Sequence, residues 1–376
     1  MRKPAALATA APVFETDRPI VACLGMSFWK RRRVAEFLGA NGDSPQFCRT
    51  AEAAIEIAGA RGGAVAVWAS RMPSDLAEMA TRNGIPLVRV EDGFIRSVGL
   101  GSDFLPPVSL VFDRGGMYYD PRSRSDLETI LAGTVFDAAL RERARLLAEK
   151  VVRQGVTKYN LAAGPAAIAW PAGKPRILVP GQVEDDLSVR FGGGGIRSNL
   201  ELLQQVRGAQ PDAFIVFKPH PDVLAGHRIG AVPEAAARRL ADLIVEDVST
   251  AALLDEIHEV HTLTSLTGFE ALLRGKRVVC YGTPFYAGWG LTEDASGIDR
   301  GRRLAVDELV AGTLILYPRY LDPVTRQPCG PELIVDRLET PELWRTGPLV
   351  RLRRLQGVMA RGWRELISAC LLRFAR

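Results

Sequence analysis

Between Ile177 and Gly282 the chain repeats one pattern: a short apolar run, a tight connection, then a helix-patterned stretch. The segments are ILVPG, NLELLQQVRG, FIVFKP, PEAAARRLADL, LIVED, TAALLDEI, VHTL, GFEALLRG and RVVCYG. Two parallel strands need a long crossover between them, most often a helix, so this order predicts βα units on a parallel sheet. Neither an all-helical nor an all-antiparallel fold produces it. PIVACLG, SFWKRRRVAEFLGA, GAVAVWAS, PSDLAEMATRNG, PLVRVEDG and VSLVFD repeat the alternation more loosely, and they too predict βαβ units on a parallel sheet. Ser125 to Gln154 reads as helix, with Leu and Val at three- and four-residue intervals.

A chain of 376 residues is long for one core and comfortable for two domains. We expect an α/β protein with two Rossmann-like domains, 19–160 and 175–312, facing each other across a cleft. An Ala/Gly/Pro-rich stretch at 161–174 reads as the linker between them. Residues 1–18 read as a disordered lead-in, and 313–376 as a helical, basic tail.

Composition narrows the class. Hydrophobic residues make up 47% and charged residues 24%, and no run approaches the roughly 18 apolar residues of a membrane helix. Cys23, Cys48, Cys280, Cys329 and Cys370 are odd in number, scattered and without a CxxC pair, which points to buried thiols in a reducing compartment. The net charge of +5 is concentrated at one end, because Arg345 to Arg376 holds eight arginines against one glutamate. In that tail Leu349, Leu352, Leu355, Val358, Trp363, Leu366, Ile367 and Leu371 recur at roughly helical spacing. It reads either as a helix lying on an anionic membrane surface or as one docked on the body. No basic stripe with interleaved aromatics is present, so nucleic acid is not expected as a partner.

In open α/β sheets, ligands bind beyond the carboxyl ends of strands. Four such ends carry polar residues: Glu91-Asp92-Gly93, the run Gln182-Val183-Glu184-Asp185-Asp186, Lys218-Pro219-His220-Pro221, and Ser265-Leu266-Thr267-Gly268. One shared site is the economical reading. Gly192 to Gly195 forms neither GxGxxG nor a P-loop, which argues against a dehydrogenase or a P-loop NTPase. Lys218, His220, Ser265, Thr267 and Gly268 offer another way to grip a phosphate. A carboxylate at a strand tip can attack a sugar's anomeric carbon, with Asp186 as nucleophile and Glu91 or Asp92 as base. The structural alternatives are a Ser265 helix cap, a rigid PHP turn, and Asp185 and Asp186 capping the next turn. His258 and His261, three apart across a helix end and a strand, are not expected to share a metal, and no other metal spacing appears.

With these tips aligned, the chain resembles the capsule-assembly β-Kdo glycosyltransferases of the KpsC/KpsS type. The resemblance rests on VEDGFIRSVGLGSDFLPPVSLVFDRGGMYYD, PGQVEDDLSVRFG, KPHPD, SLTGFEALLRGK and YGTPFYAGWGLTED, across about residues 85 to 325. It implies a GT-B-like fold and transfer of Kdo, an acidic sugar, from CMP-Kdo to a Kdo-terminated glycolipid or oligosaccharide. The implied mechanism is retaining, through a covalent adduct on Asp186, with Asp185 as second choice, and needs no metal or other cofactor.

His220-Pro221 resembles the HP motif that related sialyltransferases use on CMP, and Ser265-Leu266-Thr267 resembles their phosphate motif. Glu91-Asp92-Gly93 resembles their acid-acid-glycine motif. The implied nucleotide set is Gln182, Lys218, His220, Pro221, Ser265, Thr267, Gly268 and Glu270. Arg96, Arg190 and Asn199 are the implied substrate contacts. KpsC proteins carry two such modules and this chain has room for one, so a second transferase module or the capsule export machinery are candidate partners. The expected location is cytoplasmic, peripheral at the inner face of the cytoplasmic membrane. A nucleotide-sugar hydrolase or epimerase, and a non-catalytic assembly protein, are the competing readings of the same scaffold.

Overall fold

A computed structural model of the chain describes residues 18–39, 44–97, 105–158, 160, 168–226, 228–340, 342 and 344. Most of the expected lead-in, the first half of the expected linker and the tail from 345 onward lie outside the described residues.

The first lobe holds β1 (Ile20–Leu24), β2 (Gln46–Cys48), β3 (Ala64–Trp68), β4 (Leu87–Asp92) and β5 (Ser109–Asp113). The second holds β6 (Arg176–Pro180), β7 (Phe214–Lys218), β8 (Leu243–Ile244), β9 (Glu259–Thr262), β10 (Arg277–Cys280) and β11 (Glu293–Asp294). All six strands of the second sheet are parallel, in the order β11-β10-β9-β6-β7-β8. The nine expected elements are all present. Because β6 lies between β9 and β7, the polar tips after Pro180, Lys218 and Thr262 stand side by side.

The first sheet departs from expectation in three ways. With β12 (Pro318–Leu321) and β13 (Pro328–Cys329) at its edge, its order is β13-β12-β5-β4-β3-β1-β2, and β5 runs antiparallel to β4 rather than parallel. Instead of a helical crossover, the chain leaves β4 at Gly93 and doubles back: the Gly93 N–H donates to the Ser109 carbonyl at 3.0 Å. A Cβ on Gly93 would lie 2.3 Å from Ser109 Oγ, so the return requires glycine there. Second, β2 and the helix Ala51–Ala60 have no counterpart in the sequence reading. A three-residue strand carries too little alternation to read, and the Ala-rich helix shows a weak apolar face.

Third, 313–376 is not a helical tail throughout. β12 (Pro318–Leu321) and β13 (Pro328–Cys329) return to the first lobe as its antiparallel edge, followed by a helix at Pro331–Leu338. Prolines hide these strands from a sequence reading, yet proline is tolerated at the first residue of an edge strand. Asp322 fixes the hairpin by accepting from Arg337 Nε and Nη2, each at 3.0 Å, and from the Val324 N–H.

The largest apolar core is shared. Phe94, Leu127, Ile130 and Leu131 of the first lobe pack in one cluster with Phe269, Phe285 and Trp289 of the second. The Phe94 ring lies 4.9 Å from Phe285 and 4.8 Å from Tyr118. The helix Ala138–Arg153 and the helical stretch from Val306 to Leu316 join the same core. Apolar burial of this extent favours the docked arrangement at roughly 25 cal/mol per Å² removed from water. The lobes therefore meet in a fixed relation, with their polar strand tips toward one another.

Candidate active site

The first-lobe wall is the tip of β4. Asp92 is held by three contacts: Lys30 Nζ is 3.2 Å from each of its oxygens, and Arg96 Nε donates to Oδ2 at 2.7 Å. Arg96 is only 1% exposed and also donates to Ser97 Oγ and the Leu105 carbonyl. Lys30 Nζ lies 3.5 Å over the Trp68 ring, a second anchor for the same cation. Burial opposes ionisation of Asp92, but the Arg96 and Lys30 charges prevail and bring its pKa down to about 2. Glu91 goes the other way. Burial raises it to about 7, and the Asp92 charge adds to the rise against Lys30. Adjacent carboxyls pushed apart like this separate into a fixed anion and a group that titrates near neutrality.

The second-lobe wall is built on three tips. Gln182 joins two of them: its amide donates to Thr264 Oγ1 at 2.8 Å and its Oε1 accepts from Thr264 N–H and Thr262 Oγ1. Asn199, 2% exposed, accepts from Gln182 N–H and donates to the Gln182 and Gly230 carbonyls. Both side chains, expected to touch ligand, instead hold the loop in shape. Asp186 caps the helix Leu187–Gly192, its Oδ1 accepting from Ser188 N–H at 2.9 Å and Ser188 Oγ at 2.7 Å. Asp185 forms an exposed ion pair with Arg228 at 2.9 Å. Arg190 is exposed on the same short helix.

At the neighbouring tip, Pro221 opens a single helical turn, and His220 Nδ1 accepts from Asp222 N–H at 3.1 Å. That bond places the ring proton on Nε2 in the neutral form. Burial lowers the His220 pKa; Asp222 and Asp186 oppose the shift, Lys158 and Arg228 reinforce it. His220 is thus a neutral donor beside Asp186. Lys218 donates to the Glu246 carbonyl at 3.1 Å.

At the third tip Ser265 caps the helix Leu266–Leu272, and its hydroxyl meets that of Thr267 at 3.1 Å. Gly268 has a packing role. Its N–H donates to the Ser265 carbonyl, and a Cβ there would come within 2.2 Å of the Tyr286 hydroxyl. Glu270 is buried, which raises it to about 7, and its Oε1 accepts from the Lys158 N–H at 3.2 Å.

Tyr119 feels charges from both walls. Burial pushes its phenol up, and the charges of Glu91 from the first lobe and Asp186 from the second act in the same direction. The Arg122 guanidinium stacks 3.5 Å over Phe191, closing the gap between the lobes nearby. The charges of Glu91 and Asp186 thus both act on Tyr119, and that of Asp186 also on His220, while Arg96, Gln182 and Asn199 are engaged in hydrogen bonds within their own walls. Lys30, Tyr119 and Lys158 belong to the site and were not foreseen. Lys30, in the first turn of the helix after β1, carried a positional signal, and Tyr119 stood within one of the blocks that carry the family resemblance; Lys158 carried none. His261 is buried between Glu259 and Tyr281, and His258 accepts from Arg176 N–H, so the two serve separate contacts.

Comparison with known proteins places this architecture. The model for the family described as capsule polysaccharide biosynthesis protein matches residues 63–163 and 136–320. The capsule polysaccharide modification protein LipA of Neisseria meningitidis is 43% identical over 328 residues, covering 87% of this chain and 46% of LipA. The lipopolysaccharide-processing protein LpsZ of Rhizobium meliloti is 42% identical over 245 residues, 64% of this chain and 56% of LpsZ. The chain thus spans about half the length of the curated relatives it matches.

Two solved structures from Thermosulfurimonas dismutans KpsC match 85% of the chain each. The β-Kdo 2,4-transferase has a TM-score of 0.72 and 29% identity over 98% of its own length. The β-Kdo 2,7-transferase has a TM-score of 0.69 and 36% identity over 99% of its length. The two-lobed fold is GT-B-like. On the extent of the family match and the identity to LipA, the chain belongs to the capsule polysaccharide biosynthesis protein family.

Proposed function

We propose that the protein is a retaining β-Kdo glycosyltransferase that moves Kdo from CMP-Kdo to a Kdo-terminated glycolipid or oligosaccharide acceptor. The observation that supports this reading is that the strand tip bearing Glu91 and the helix cap bearing Asp186 belong to lobes tied together nearby, by the Arg96 N–H on the Lys158 carbonyl, the Lys158 N–H on Glu270 and the Arg122 guanidinium over Phe191. Double displacement needs a nucleophile and a base on one anomeric centre. The Kdo transferase folds that the chain matches support the substrate class.

In the first step an Asp186 oxygen attacks the anomeric carbon as the bond from that carbon to the CMP phosphate oxygen breaks. The electron pair leaves with CMP. His220, donating from Nε2, and the Ser265 and Thr267 hydroxyls receive the phosphate. In the second step the acceptor hydroxyl attacks the same carbon, Glu91 takes its proton, and Asp186 departs as carboxylate. Two inversions give net retention. Glu91 suits the base role better than Asp92, because a base works best with a pKa near the working pH and Asp92 is fixed as an anion by two cations. The arginine-rich tail that begins after Trp344 fits an enzyme working on a lipid-linked acceptor at an anionic membrane surface.

Incubation with CMP-Kdo and a Kdo-terminated acceptor should yield a new β-glycoside. Release of CMP and free Kdo without glycoside would mark a hydrolase, and no turnover would mark an assembly protein. A second expectation concerns pH. Ionised Glu91 is the active form in the step that uses the acceptor, so kcat/KM for the acceptor should rise with pH through about 7 and level off above it. In Glu91→Gln that limb should vanish. A limb near the ordinary glutamate range in the wild type would remove Glu91 from the role.

A further inference from the structure

Asp186 is one end of a chain of hydrogen bonds that no step above uses. Its Oδ1 accepts from Ser188 N–H at 2.9 Å and from Ser188 Oγ at 2.7 Å. Ser188 Oγ lies 3.3 Å from Thr264 Oγ1, and Thr264 Oγ1 lies 2.8 Å from Gln182 Nε2. The chain runs from the tip of β6, through the tip of β9, to the start of the helix Leu187–Gly192. That helix is also held at its far end, where the Gly192 carbonyl accepts from Thr283 N–H at 2.7 Å.

The direction of each proton along this chain is fixed. Gln182 Oε1 meets the Thr264 N–H at 3.0 Å, a group that can only donate, so the amide oxygen faces that side and Nε2 donates to Thr264 Oγ1. Thr262 Oγ1, which accepts from Ser265 N–H at 3.2 Å, gives its own proton to the same Oε1. With an N–H already pointing at it, Thr264 Oγ1 turns its hydrogen to Ser188 Oγ. Ser188 in turn donates to Asp186, because a carboxylate only accepts. Hydroxyls aligned in this way polarise one another, so each bond strengthens the next. The relay ends on one oxygen: Asp186 is exposed, and among the described residues its Oδ2 takes no hydrogen bond.

We propose that Ser188 and Thr264 are positioning residues for the nucleophile: their relay keeps Oδ1 out of the reaction, leaves Oδ2 to attack, and steadies the carboxylate when it departs. This rests on the transferase reading and adds to it the residues that set the balance between its two steps. In the glycosyl adduct Oδ2 is bonded to the anomeric carbon and Oδ1 is an ester carbonyl, a weaker acceptor than a carboxylate oxygen. As the acceptor oxygen bonds to that carbon, the bond from the carbon to Oδ2 breaks, and its electron pair stays with Asp186 and spreads onto Oδ1. The bond from Ser188 then strengthens, as hydrogen bonds to charged acceptors do. Its loss should therefore fall on the second step rather than the first.

The test uses the full chain with CMP-Kdo, CMP and a Kdo-terminated acceptor. In Ser188→Ala, kcat/KM for the acceptor should fall about 10- to 100-fold, the range for one hydrogen bond to a charged group. The same ratio for CMP-Kdo should stay near the wild-type value, since it reports only the steps up to release of CMP, and CMP affinity by calorimetry should not change. Mass spectrometry of intact protein quenched during turnover should show more glycosylated enzyme in the variant than in the wild type. Ser188→Thr, which keeps the hydroxyl, should recover most of the loss. Thr264→Val leaves both hydrogen bonds at Asp186 in place, so it should lose less, about 2- to 10-fold. Because Thr264 acts through Ser188, adding Thr264→Val to Ser188→Ala should cost nothing further in the acceptor ratio. The Thr264→Val measurement stands even if Ser188→Ala fails to fold.

An unchanged acceptor ratio in Ser188→Ala or in Thr264→Val overturns the proposal. So do equal falls in the donor and acceptor ratios, which would make Ser188 a brace of the turn, or additive losses in the double variant. Wild-type transfer from CMP-Kdo is the control. Its absence sinks the transferase reading and this inference with it, whereas an active wild type beside an unaffected Ser188→Ala sinks this inference alone.

Discussion

Asp186→Asn should abolish glycosyl transfer while leaving the fold and CMP binding in place. The structure makes this substitution more informative than a truncation. Asp186 has a structural duty, capping the helix Leu187–Gly192 through Oδ1 and Ser188. Asparagine caps about as well as aspartate, so that duty survives, but an amide is no nucleophile toward an anomeric carbon. Asp186→Ala loses the cap as well, at a cost of about 0.5–2 kcal/mol. If Asp186 forms the glycosyl adduct, both variants should lose transfer by about three orders of magnitude or more. Only the alanine variant should melt earlier. If Asp186 merely shapes the turn, Asp186→Asn should work nearly as well as wild type. Transfer rates, CMP titration and thermal melts on the two variants separate these outcomes, and an active Asp186→Asn would end the nucleophile assignment. Asp185 would be a poor substitute, because it is already engaged in an ion pair with Arg228.

The shared core bears on how such a site can move. A two-lobed transferase with independent cores can swing open on its linker, but here Phe94 of the first lobe packs against Phe285 of the second. Separating the lobes as rigid bodies would expose this apolar surface. The cheaper motion is local: releasing the Arg122–Phe191 stack at the cleft leaves the core intact. Substrate entry by loop movement is therefore favoured over hinge opening.

The second lobe could be read from sequence because a parallel sheet writes its strands as continuous apolar runs and its crossovers as amphipathic helices. The acids and His220 could be read for a related reason: they stand where such runs stop. What could not be read depended on contacts distant in sequence. Nothing local distinguishes a Gln182 that touches ligand from one that joins Thr262 and Thr264, eighty and more residues away. Tyr119 and Lys158 follow no apolar run, and only the meeting of the lobes gives them a setting. β12 was hidden by its leading proline, and its partner strand lies some two hundred residues earlier. Motif position marked where the site is; the division between contact and support emerged from packing.

Arg96 shows how sharp that division is, and its replacement should have the largest effect on stability. The sequence assigns it to substrate, yet it is buried beneath the site with Asp92, Ser97 and the Leu105 carbonyl as partners. Arg96→Met should destabilise the fold by about 3–5 kcal/mol, because it strands a carboxylate of 16% side-chain exposure with Lys30 alone. The pH dependence fixes the cause. In the wild type Asp92 has a folded pKa of about 2 against an ordinary 3.8, so it contributes stability that is fully present above about pH 4 and is lost as pH falls through 2. Removing Arg96 raises the folded pKa, so the variant should lack much of that acid-side loss, and its deficit should be largest near neutral pH. Adding Asp92→Asn to Arg96→Met should recover part of the stability, since it removes the stranded charge. Denaturant titrations of the single and double variants at pH 3 and pH 7 measure all of this. A deficit equal at both pH values, with no recovery in the double variant, would mean that Arg96 acts through packing and its carbonyl bond, and that Asp92 is held as an anion by Lys30 alone.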